Sequence, residues 1–562
     1  MASENSVSRH DEPRDAEGVG LDGLTFAGLW EIVAEERPDA RAQVQGDRVF
    51  TWRQFDDRAD GLAAAMLAAG VAQQDKVAQY LYNCPEYLEG VFASFKAGLV
   101  PVNTNYRYAD AELRYLWDNS DAAVVMFHGT FVPTIERIRD DCTKVKLWLH
   151  VDDGSHPCPA WATPWETATA TPNDGKVQGP WGRHGSDLWL LYTGGTTGMP
   201  KGVMWAQQSL IDLVTRTAAV RLADTGDVPA WRENVASGDG AGVLLPAAPL
   251  MHGTGQIGSM RALTDGGCIV TMIDRSFDAA RALDVVEREG VTSLAIVGDA
   301  FARPILAALD AEPDRWDLSK VARMGSSGVM WSQPVKQRLL EHIPQLMIAD
   351  SLASSEALGI GASVTTKDSV AETAKFSLGP SAVVIADDGS LVEPGSGNVG
   401  RLGIRGVMPE GYYKDEVKTA TTFPVIDGVR YSVPGDYGIV EADGSITLLG
   451  RGSVCINTGG EKVFPEEVEE VLKQHPGVVD AIAVGVPDER FGQIIAAVVE
   501  PTATNTADGE ALIDHVRTHL ARYKAPRHVL FTESLTRAPN GKIDYKKWTG
   551  FARDQLGVAA PS

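Results

Sequence analysis

Short apolar, strand-like runs alternate with amphipathic helical runs from residue 25 to residue 186. Residues 76–81 and 99–102 are rich in apolar side chains, whereas residues 85–97 between them place apolar side chains at helical spacing. A helix between two strands usually joins parallel neighbours of one sheet and covers its face. The alternation therefore predicts an α/β fold in which helices cover layered, mostly parallel sheets.

A second folding unit begins near Gly450. Pro465 occupies a helix N1 position, and Glu466 and Glu467 follow in the first helical turn, where carboxylates are favoured. The chain has 562 residues, which is long enough for several folding units. We therefore predict a disordered tail over residues 1–24, a large N-terminal domain over 25–450 and a small α+β C-terminal domain over 451–562.

The overall charge limits the partners of the chain. The sequence has 51 basic and 75 acidic residues and a formal net charge of −24. Such a surface repels nucleic acid and anionic lipid, so neither is an expected partner. No run approaches the length of a membrane span, and none is expected. The five scattered cysteines lack CxxC spacing, which is typical of a reducing cytoplasm and indicates neither disulfides nor zinc.

The most informative segment follows the apolar run 188–192. Residues 193–202 contain four glycines, three threonines and Lys201. Glycines let backbone N–H groups approach a phosphate chain, threonine hydroxyls add donors or metal ligands, and the lysine adds positive charge. The spacing differs from the common P-loop because Pro200 precedes Lys201. The composition predicts a phosphate-binding loop, and a surface turn is the alternative.

Two further patterns suggest competing functions. Residues 253–258 match GxGxxG, but Pro246 and Pro249 interrupt the strand that should precede a dinucleotide site. His515 and His519 have the i, i+4 spacing of a metal pair. No third ligand is indicated, so a solvated helix face is the preferred interpretation of these histidines.

Seven motifs extend along nearly the whole chain. They are YTGGTTGMPKG at 192–202, PLMH at 249–252, SE at 355–356, PGD at 434–436, GR at 450–451, TGGEK at 458–462 and PNGK at 539–542. In this order they resemble the adenylate-forming superfamily, which comprises acyl-CoA synthetases, nonribosomal adenylation domains and luciferases. Residues 193–205 and 298–303 look like those of bacterial fatty-acyl and steroid-side-chain CoA ligases.

The resemblance implies an AMP-forming acid–thiol ligase with a mobile C-terminal domain. A carboxylate attacks the α-phosphate of Mg·ATP, the small domain swings, and the thiol of CoA then displaces AMP. ATP, Mg²⁺, CoA and a carboxylic acid are the implied ligands of a cytoplasmic monomer or homodimer. Small residues around His252 and Gly325 leave volume for a medium-chain, long-chain or polycyclic acid. A non-CoA acceptor, as in amide ligases or diazotase-like enzymes, is the alternative.

The resemblance also assigns roles to individual residues. Lys542 is implied to bridge the substrate carboxylate and the α-phosphate, and His252 to lie between the acyl pocket and the thiol route. Lys201 is implied to be catalytic with them, and Glu356 and Thr193 supply the oxygens that Mg²⁺ prefers. The implied nucleotide- and CoA-binding residues are Thr193, Gly194, Gly195, Thr196, Thr197, Gly198, Lys201, Gly325, Ser326, Asp350, Leu352, Ser355, Asp436, Arg451, Gly459 and Gly460.

The sequence departs from the family pattern in three places, one of which is Gly194, where the phosphate loop commonly has a serine hydroxyl. Leu352 and Ala353 replace an aromatic–glycine pair that stacks on adenine, and Leu352 can cover the ring only by dispersion. Asp350 can still accept a hydrogen bond from the adenine amino group. Ser453 occupies a hinge position that is often charged in the family. A glycine–serine pair there permits rotation without a charged partner.

Overall fold

The structure, a computed structural model, describes residues 24–193, 199–215, 222, 226–329, 331–369, 371–458, 461–488, 491–502, 508–538 and 541–558. Residues 1–23 of the predicted tail lie outside this range. Part of the predicted site also lies outside the described residues, namely Gly194, Gly195, Thr196, Thr197, Gly198, Gly459 and Gly460.

Several helices begin where a side chain caps the first free backbone N–H groups. Thr51 accepts from the N–H of Gln54, and Asp508 accepts from the N–H of Ala511. The described α-helices are α1 Phe26–Glu36, α2 Trp52–Ala68, α3 Pro85–Lys96, α4 Asp110–Asn119, α5 Val132–Ile138, α6 Trp165–Thr169, α7 Gln207–Thr215, α8 Val228–Ser237, α9 Gly253–Thr264, α10 Ala279–Glu289, α11 Gly298–Ala311, α12 Gln333–His342, α13 Glu416–Thr422, α14 Pro465–Lys473, α15 Gly509–His519 and α16 Tyr545–Leu556.

The described strands form three sheets. They are β1 Arg41–Gln45, β2 Arg48–Thr51, β3 Lys76–Tyr80, β4 Val100–Asn103, β5 Ala122–His128, β6 Leu147–Val151, β7 Thr163–Pro164, β8 Leu188–Thr193, β9 Lys201–Ala206, β10 Val243–Pro246, β11 Cys268–Val270, β12 Ser293–Ile296, β13 Arg323–Ser327, β14 Met347–Ser354, β15 Ala357–Thr365, β16 Lys375–Leu378, β17 Ala382–Ile385, β18 Val399–Arg405, β19 Gly411–Tyr412, β20 Val425–Ile426, β21 Val429–Ser432, β22 Asp436–Val440, β23 Ser445–Arg451, β24 Ile456–Thr458, β25 Glu461–Val463, β26 Val478–Asp488, β27 Gly492–Pro501 and β28 His528–Phe531.

The central sheet is parallel in one half and antiparallel in the other. Its order is β2-β1-β11-β10-β12-β13-β14-β15-β16-β23-β22-β18-β21-β20, with β17 beside β18. Neighbours from β1 to β14 are parallel, whereas those from β14 to β20 are antiparallel. Short turns suffice to join antiparallel strands, and the described residues of this half contain no α-helix before α13. The predicted parallel layers are therefore found before residue 354, and the antiparallel half adds to them.

The second sheet packs against the first through helices. Its order is β19-β9-β8-β4-β3-β5-β6-β7, and it is parallel from β8 to β7. One hydrophobic core joins both sheets through the intervening helices and includes the fully buried Trp30, Phe92, Trp189 and Leu263. The ends of the strands on either side of this core carry the residues of the candidate site.

The C-terminal sheet forms a separate unit with its own cores. Its order is β25-β24-β27-β26, with β28 parallel to β27. Successive residues of β26 face opposite sides: Ala481 packs with the core under α14 and α15, and Ile482 with the core under α16. A 3-10 turn, Gly452–Val454, connects β23 of the central sheet to this unit.

Candidate active site

The predicted phosphate loop connects two antiparallel strands. Thr193 ends β8 and pairs in register with Lys201, which begins β9. The loop between them is therefore closed at its base by the backbone ladder. The Lys201 ammonium lies 2.6 Å from Oδ2 of Asp415, a residue that sequence reasoning did not identify. The hydrogen bond from Lys201 lowers the pKa of the Asp415 carboxyl, which therefore stays charged beside the loop.

Glu356 lies at the turn between β14 and β15 and is held from two sides. The Tyr412 hydroxyl donates a 2.7 Å hydrogen bond to its Oε1, and the Ser432 hydroxyl donates a 2.6 Å bond to its carbonyl oxygen. The preceding Ser355 accepts from the Trp205 indole through its carbonyl oxygen at 2.9 Å. These contacts attach Glu356 to β9, so the buried carboxylate is placed close to the base of the phosphate loop.

Asp436 and Arg451 face each other on adjacent strands. The two residues pair in register between β22 and β23, and Nε of Arg451 lies 3.5 Å from Oδ1 of Asp436. Burial raises the pKa of Asp436, while the charge of Arg451 opposes that rise. A carboxylate in this position offers two oxygens to a pair of hydroxyl groups.

Lys542 of the C-terminal unit faces these residues of the large domain. Surrounding protein and the charge of Arg451 lower the pKa of Lys542, whereas Glu356 and Asp436 act to raise it. Burial and the Lys542 charge lower the pKa of His252 to about 4. Five residues predicted for the site are therefore brought close enough together for their charges to interact.

The loop that carries Lys542 is attached to the C-terminal sheet. The Gly541 N–H donates to the carbonyl of Ala538 at 2.8 Å, and the Ala538 N–H donates to the carbonyl of Lys542 at 2.9 Å. The Arg537 guanidinium donates to the Gly541 carbonyl at 3.1 Å and pairs with Asp480 of β26 at 2.6 Å. Because its loop is bonded to the C-terminal sheet, Lys542 moves together with the small domain.

Two asparagines that the sequence analysis missed hold the segment before His252. The Asn103 amide donates to the carbonyls of Tyr192 at 2.8 Å and Met251 at 2.7 Å, and its oxygen accepts from the Tyr192 N–H at 2.6 Å. Asn83 accepts from the N–H of Leu250 at 2.7 Å. Asn103 is the last residue of the parallel strand β4, at the sheet edge where ligand sites of α/β folds form. This position at the strand end is the feature from which its role could have been predicted from the sequence.

Asp350 and Ser326 are engaged inside the large domain. The Lys336 ammonium lies 3.2 Å from Oδ2 of Asp350, and burial raises the pKa of Asp350 to about 6. The Ser326 hydroxyl accepts from the N–H of Gly298 at 2.8 Å. The side chains of both residues therefore make contacts within the central sheet and its helices.

The remaining predicted positions line the parallel half of the central sheet. Gly325 pairs with Ala295 on one side and Ala349 on the other, and the nearest atom to a side chain there would be the Leu294 carbonyl oxygen at 3.9 Å. Leu352 is partly buried and packs against the large core. The sheet therefore leaves space beside Gly325.

The GxGxxG pattern and the His515–His519 pair both lie on ordinary helices. Residues 253–258 form the first turns of α9, and six residues separate them from β10. His515 lies 3.0 Å from the Val471 carbonyl through its Nε2, and His519 lies 2.8 Å from the His515 carbonyl through its Nδ1. Over the described part of the chain, no group of three or more His, Cys, Asp or Glu side chains is arranged to hold a metal ion.

Comparison with known families identifies the group to which these motifs belong. The family model of AMP-binding enzymes matches residues 30–413. The chain belongs to this family. A model of the C-terminal domain of AMP-binding enzymes also matches residues 467–542. Within the described residues, none of the helices of this AMP-binding enzyme has the length and apolarity needed to cross a bilayer.

The similarity to curated relatives extends over nearly the whole length of this AMP-binding enzyme. It is 38% identical over 554 residues to a medium-chain acyl-CoA ligase of Mycobacterium avium, which covers 95% of this chain and 98% of the relative. It is also 38% identical over 527 residues to a medium/long-chain-fatty-acid–CoA/3-oxocholest-4-en-26-oate–CoA ligase of Mycolicibacterium smegmatis, with 93% and 95% covered. These matches confirm the predicted resemblance to acyl-CoA ligases.

The fold of this AMP-binding enzyme is shared with solved structures. An anthranilate CoA ligase in complex with anthranoyl-AMP superposes with a TM-score of 0.81 at 21% identity, over 95% of this chain and 98% of that chain. The predicted adenylate-forming fold class, a large body with a smaller C-terminal domain, is confirmed.

Proposed function

We propose that this AMP-binding enzyme activates a carboxylic acid with ATP and transfers the acyl group to CoA, releasing pyrophosphate and AMP. The observation that supports the proposal most is the position of Lys542. Its ammonium, on a loop of the small domain, interacts with Glu356, Asp436 and His252 of the large domain and with Arg451 at the end of β23. The names of the two curated relatives agree with this activity.

In the first step, a carboxylate oxygen attacks the α-phosphorus of ATP, and the bond from that phosphorus to the β-bridging oxygen breaks. Both reactants carry negative charge, so their approach is opposed in the absence of a cation. Lys542 supplies that cation between them, which lowers the barrier by electrostatic stabilisation and positioning. Lys201, at the base of the hairpin loop, faces the departing pyrophosphate.

Glu356 and Thr193 suit a bound Mg²⁺. The Glu356 carboxylate is buried and oriented by Tyr412, and both residues offer oxygen to the cation. Mg²⁺ commonly takes one or two protein oxygens and fills its other positions with phosphate oxygens and water. When bound, the ion neutralises charge on the phosphate chain. Glu356→Ala should raise the Mg²⁺ concentration needed for ATP binding, and an unchanged titration would remove it as a ligand.

In the second step, the CoA sulfur attacks the acyl carbonyl carbon, the bond from that carbon to AMP breaks, and the thiol proton passes to solvent. A swing of the small domain withdraws Lys542 and brings Gly459 and Gly460 toward the pantetheine arm. Burial is the larger of the two causes that lower the pKa of His252 and does not depend on the charge of Lys542, so the ring is uncharged at neutral pH in this step too. A neutral ring between the acyl group and the thiol admits an apolar substrate.

We propose a medium-chain, long-chain or polycyclic acid as the substrate. The small residues Gly258 and Gly325 are compatible with this choice: a methyl group added at Gly258 would make only ordinary contact with Ala295 Cβ at 3.8 Å, and one at Gly325 with the Leu294 carbonyl at 3.9 Å. The substrates in the relatives' names agree with it. Among the described residues of the site, no contact favours an amine acceptor over CoA.

A panel of acids, with CoA thioester products scored by mass spectrometry, tests the proposal. Acetate, octanoate, palmitate and a steroid-side-chain acid span the relevant sizes. We expect thioesters of the larger acids, together with pyrophosphate exchange that depends on the same acids. Exchange without any thioester would instead support a non-CoA acceptor, and the absence of both would refute acid activation.

A further inference from the structure

Gly541 packs directly against the large domain. It lies next to Lys542 and has a φ of +70°, a left-handed conformation that other residues rarely adopt. A Cβ at this position would lie 3.0 Å from Val329 Cγ2, 3.2 Å from Val297 Cγ1 and 3.3 Å from Ala300 Cβ. These distances are shorter than ordinary van der Waals contacts, so the backbone of Gly541 already fills the available space.

The three apolar side chains form a surface, which we call the Gly541 seat. Val297 is buried at the end of β12, and Ala300 lies in the first turn of α11. Asp299 between them accepts from the Ser332 N–H at 3.0 Å and from its hydroxyl at 2.8 Å. The start of α11 is therefore attached to the segment that follows Val329, and the seat cannot readily move away.

Gly541 is equally well attached to its own domain. The Arg537 guanidinium donates to the Gly541 carbonyl at 3.1 Å and pairs with Asp480 of β26 in a bidentate contact. Burial acts to lower the pKa of Arg537, but the hydrogen bond to Asp480 and the charges of Asp480 and Glu469 together outweigh it and raise the pKa of the guanidinium. A displacement of Gly541 from the seat is therefore transmitted to Lys542 and to the small domain.

We propose that Gly541 is a positioning residue for Lys542. The absence of a side chain lets the Lys542 loop close onto the seat of Val297, Ala300 and Val329, and this contact selects the domain orientation in which Lys542 faces the site. The inference rests on the proposed role of Lys542 in adenylation. It predicts that a side chain at position 541 impairs the first half-reaction and spares the second, in which Lys542 is withdrawn.

Gly541→Ala tests the proposal, with Gly557→Ala as the matched control. Gly557 also has a positive φ, +66°, but nothing lies within 4 Å of its Cβ position, so only the backbone strain is shared. We expect Gly541→Ala to reduce acid-dependent pyrophosphate exchange at least about tenfold, while thioester formation from supplied acyl-adenylate stays within about twofold. Gly557→Ala should leave both half-reactions near the wild-type rates.

A second-site variant separates the seat from a general loss of structure. Val329→Ala removes the nearest methyl group, so Gly541→Ala combined with Val329→Ala should regain at least about threefold of the lost exchange. Equal loss in both half-reactions, the same loss in Gly557→Ala, or no rescue would overturn the proposal. Lys542→Ala distinguishes a failure of the proposed role of Lys542 from a failure of the proposed role of the Gly541 seat. If it retains exchange, the role of Lys542 fails; if it loses exchange while Gly541→Ala does not, only the seat fails.

Discussion

The Lys201 ammonium lies 2.6 Å from Oδ2 of Asp415, and the two residues come from segments 214 positions apart. The other oxygen of Asp415 accepts from the Lys418 N–H at 2.9 Å and caps helix α13. A single carboxylate therefore fixes the lysine at the base of the phosphate loop to the start of a helix. A free lysine would lose more side-chain entropy on binding a phosphate.

We expect Asp415→Asn to raise the KM for ATP about fivefold, because Asn keeps the cap but not the charge that orients Lys201. The measurement is pyrophosphate exchange at several ATP concentrations. Asp118→Asn, which removes an exposed ion pair with Lys144, is the control and should leave the KM unchanged. An unchanged or lower KM in Asp415→Asn would contradict an orienting role.

Tyr412→Phe removes only the hydroxyl that donates to Glu356. Without this 2.7 Å bond the carboxylate is less well oriented, so ATP binding should require about threefold more Mg²⁺. Calorimetric titration of ATP at a series of Mg²⁺ concentrations measures the change without turnover. The neighbouring Tyr413 also donates a 2.7 Å bond to a carboxylate, that of Asp121, and Tyr413→Phe should show no such shift. Identical shifts in both variants would rule out a specific contact with Glu356.

Asn103→Ala should destabilise the large domain. Its buried amide makes three hydrogen bonds to the backbone of Tyr192 and Met251, and truncation leaves these groups unpaired at a cost of about 3 kcal/mol. Urea unfolding followed by tryptophan fluorescence measures the free energy of unfolding. Asn173→Ala, which removes two exposed bonds, one to the Thr171 carbonyl and one from the Gly175 N–H, should change it by less than about 0.5 kcal/mol. Equal effects would show that Asn103 is not a structural link.

Acidic pH should weaken the fold through His128. Burial lowers the pKa of this histidine to about 4, from 6.5 in the unfolded chain. The unfolded state therefore binds a proton first, so stability is complete above pH 6.5 and decreases as the pH falls toward 4. His128→Gln should show a smaller decrease in the urea midpoint between pH 7 and pH 5 than the wild type. His528→Gln, at an exposed position, should show the same decrease in urea midpoint as the wild type. If both variants show the wild-type decrease, His128 is excluded as its cause.

Local signals predicted many elements of the fold. Pro465 and the carboxylates after it predicted a helix, and the structure has Pro465–Lys473. The apolar run at 76–81 predicted a strand that is present as Lys76–Tyr80. These features depend on side chains close in sequence, so periodicity and capping are sufficient to detect them.

The antiparallel half of the central sheet and the links within the site could not be predicted in the same way. Tyr412 reaches Glu356 across 56 residues, and Asn103 reaches Tyr192 across 89. Such partners are determined by which surfaces pack together, and a single sequence carries no local signal of that packing. Motif order predicted which residues matter, but the pairing of Asp350 with Lys336 emerged only from the fold.

The central claim is that Lys542 acts in adenylation and is withdrawn for thioester formation. Lys542→Ala, assayed separately in acid-dependent pyrophosphate exchange and in thioester formation from supplied acyl-adenylate and CoA, tests it most directly. We predict that exchange falls at least about a thousandfold while thioester formation stays within about threefold of the wild type. An equal loss in both half-reactions, or exchange at the wild-type rate, would contradict the account.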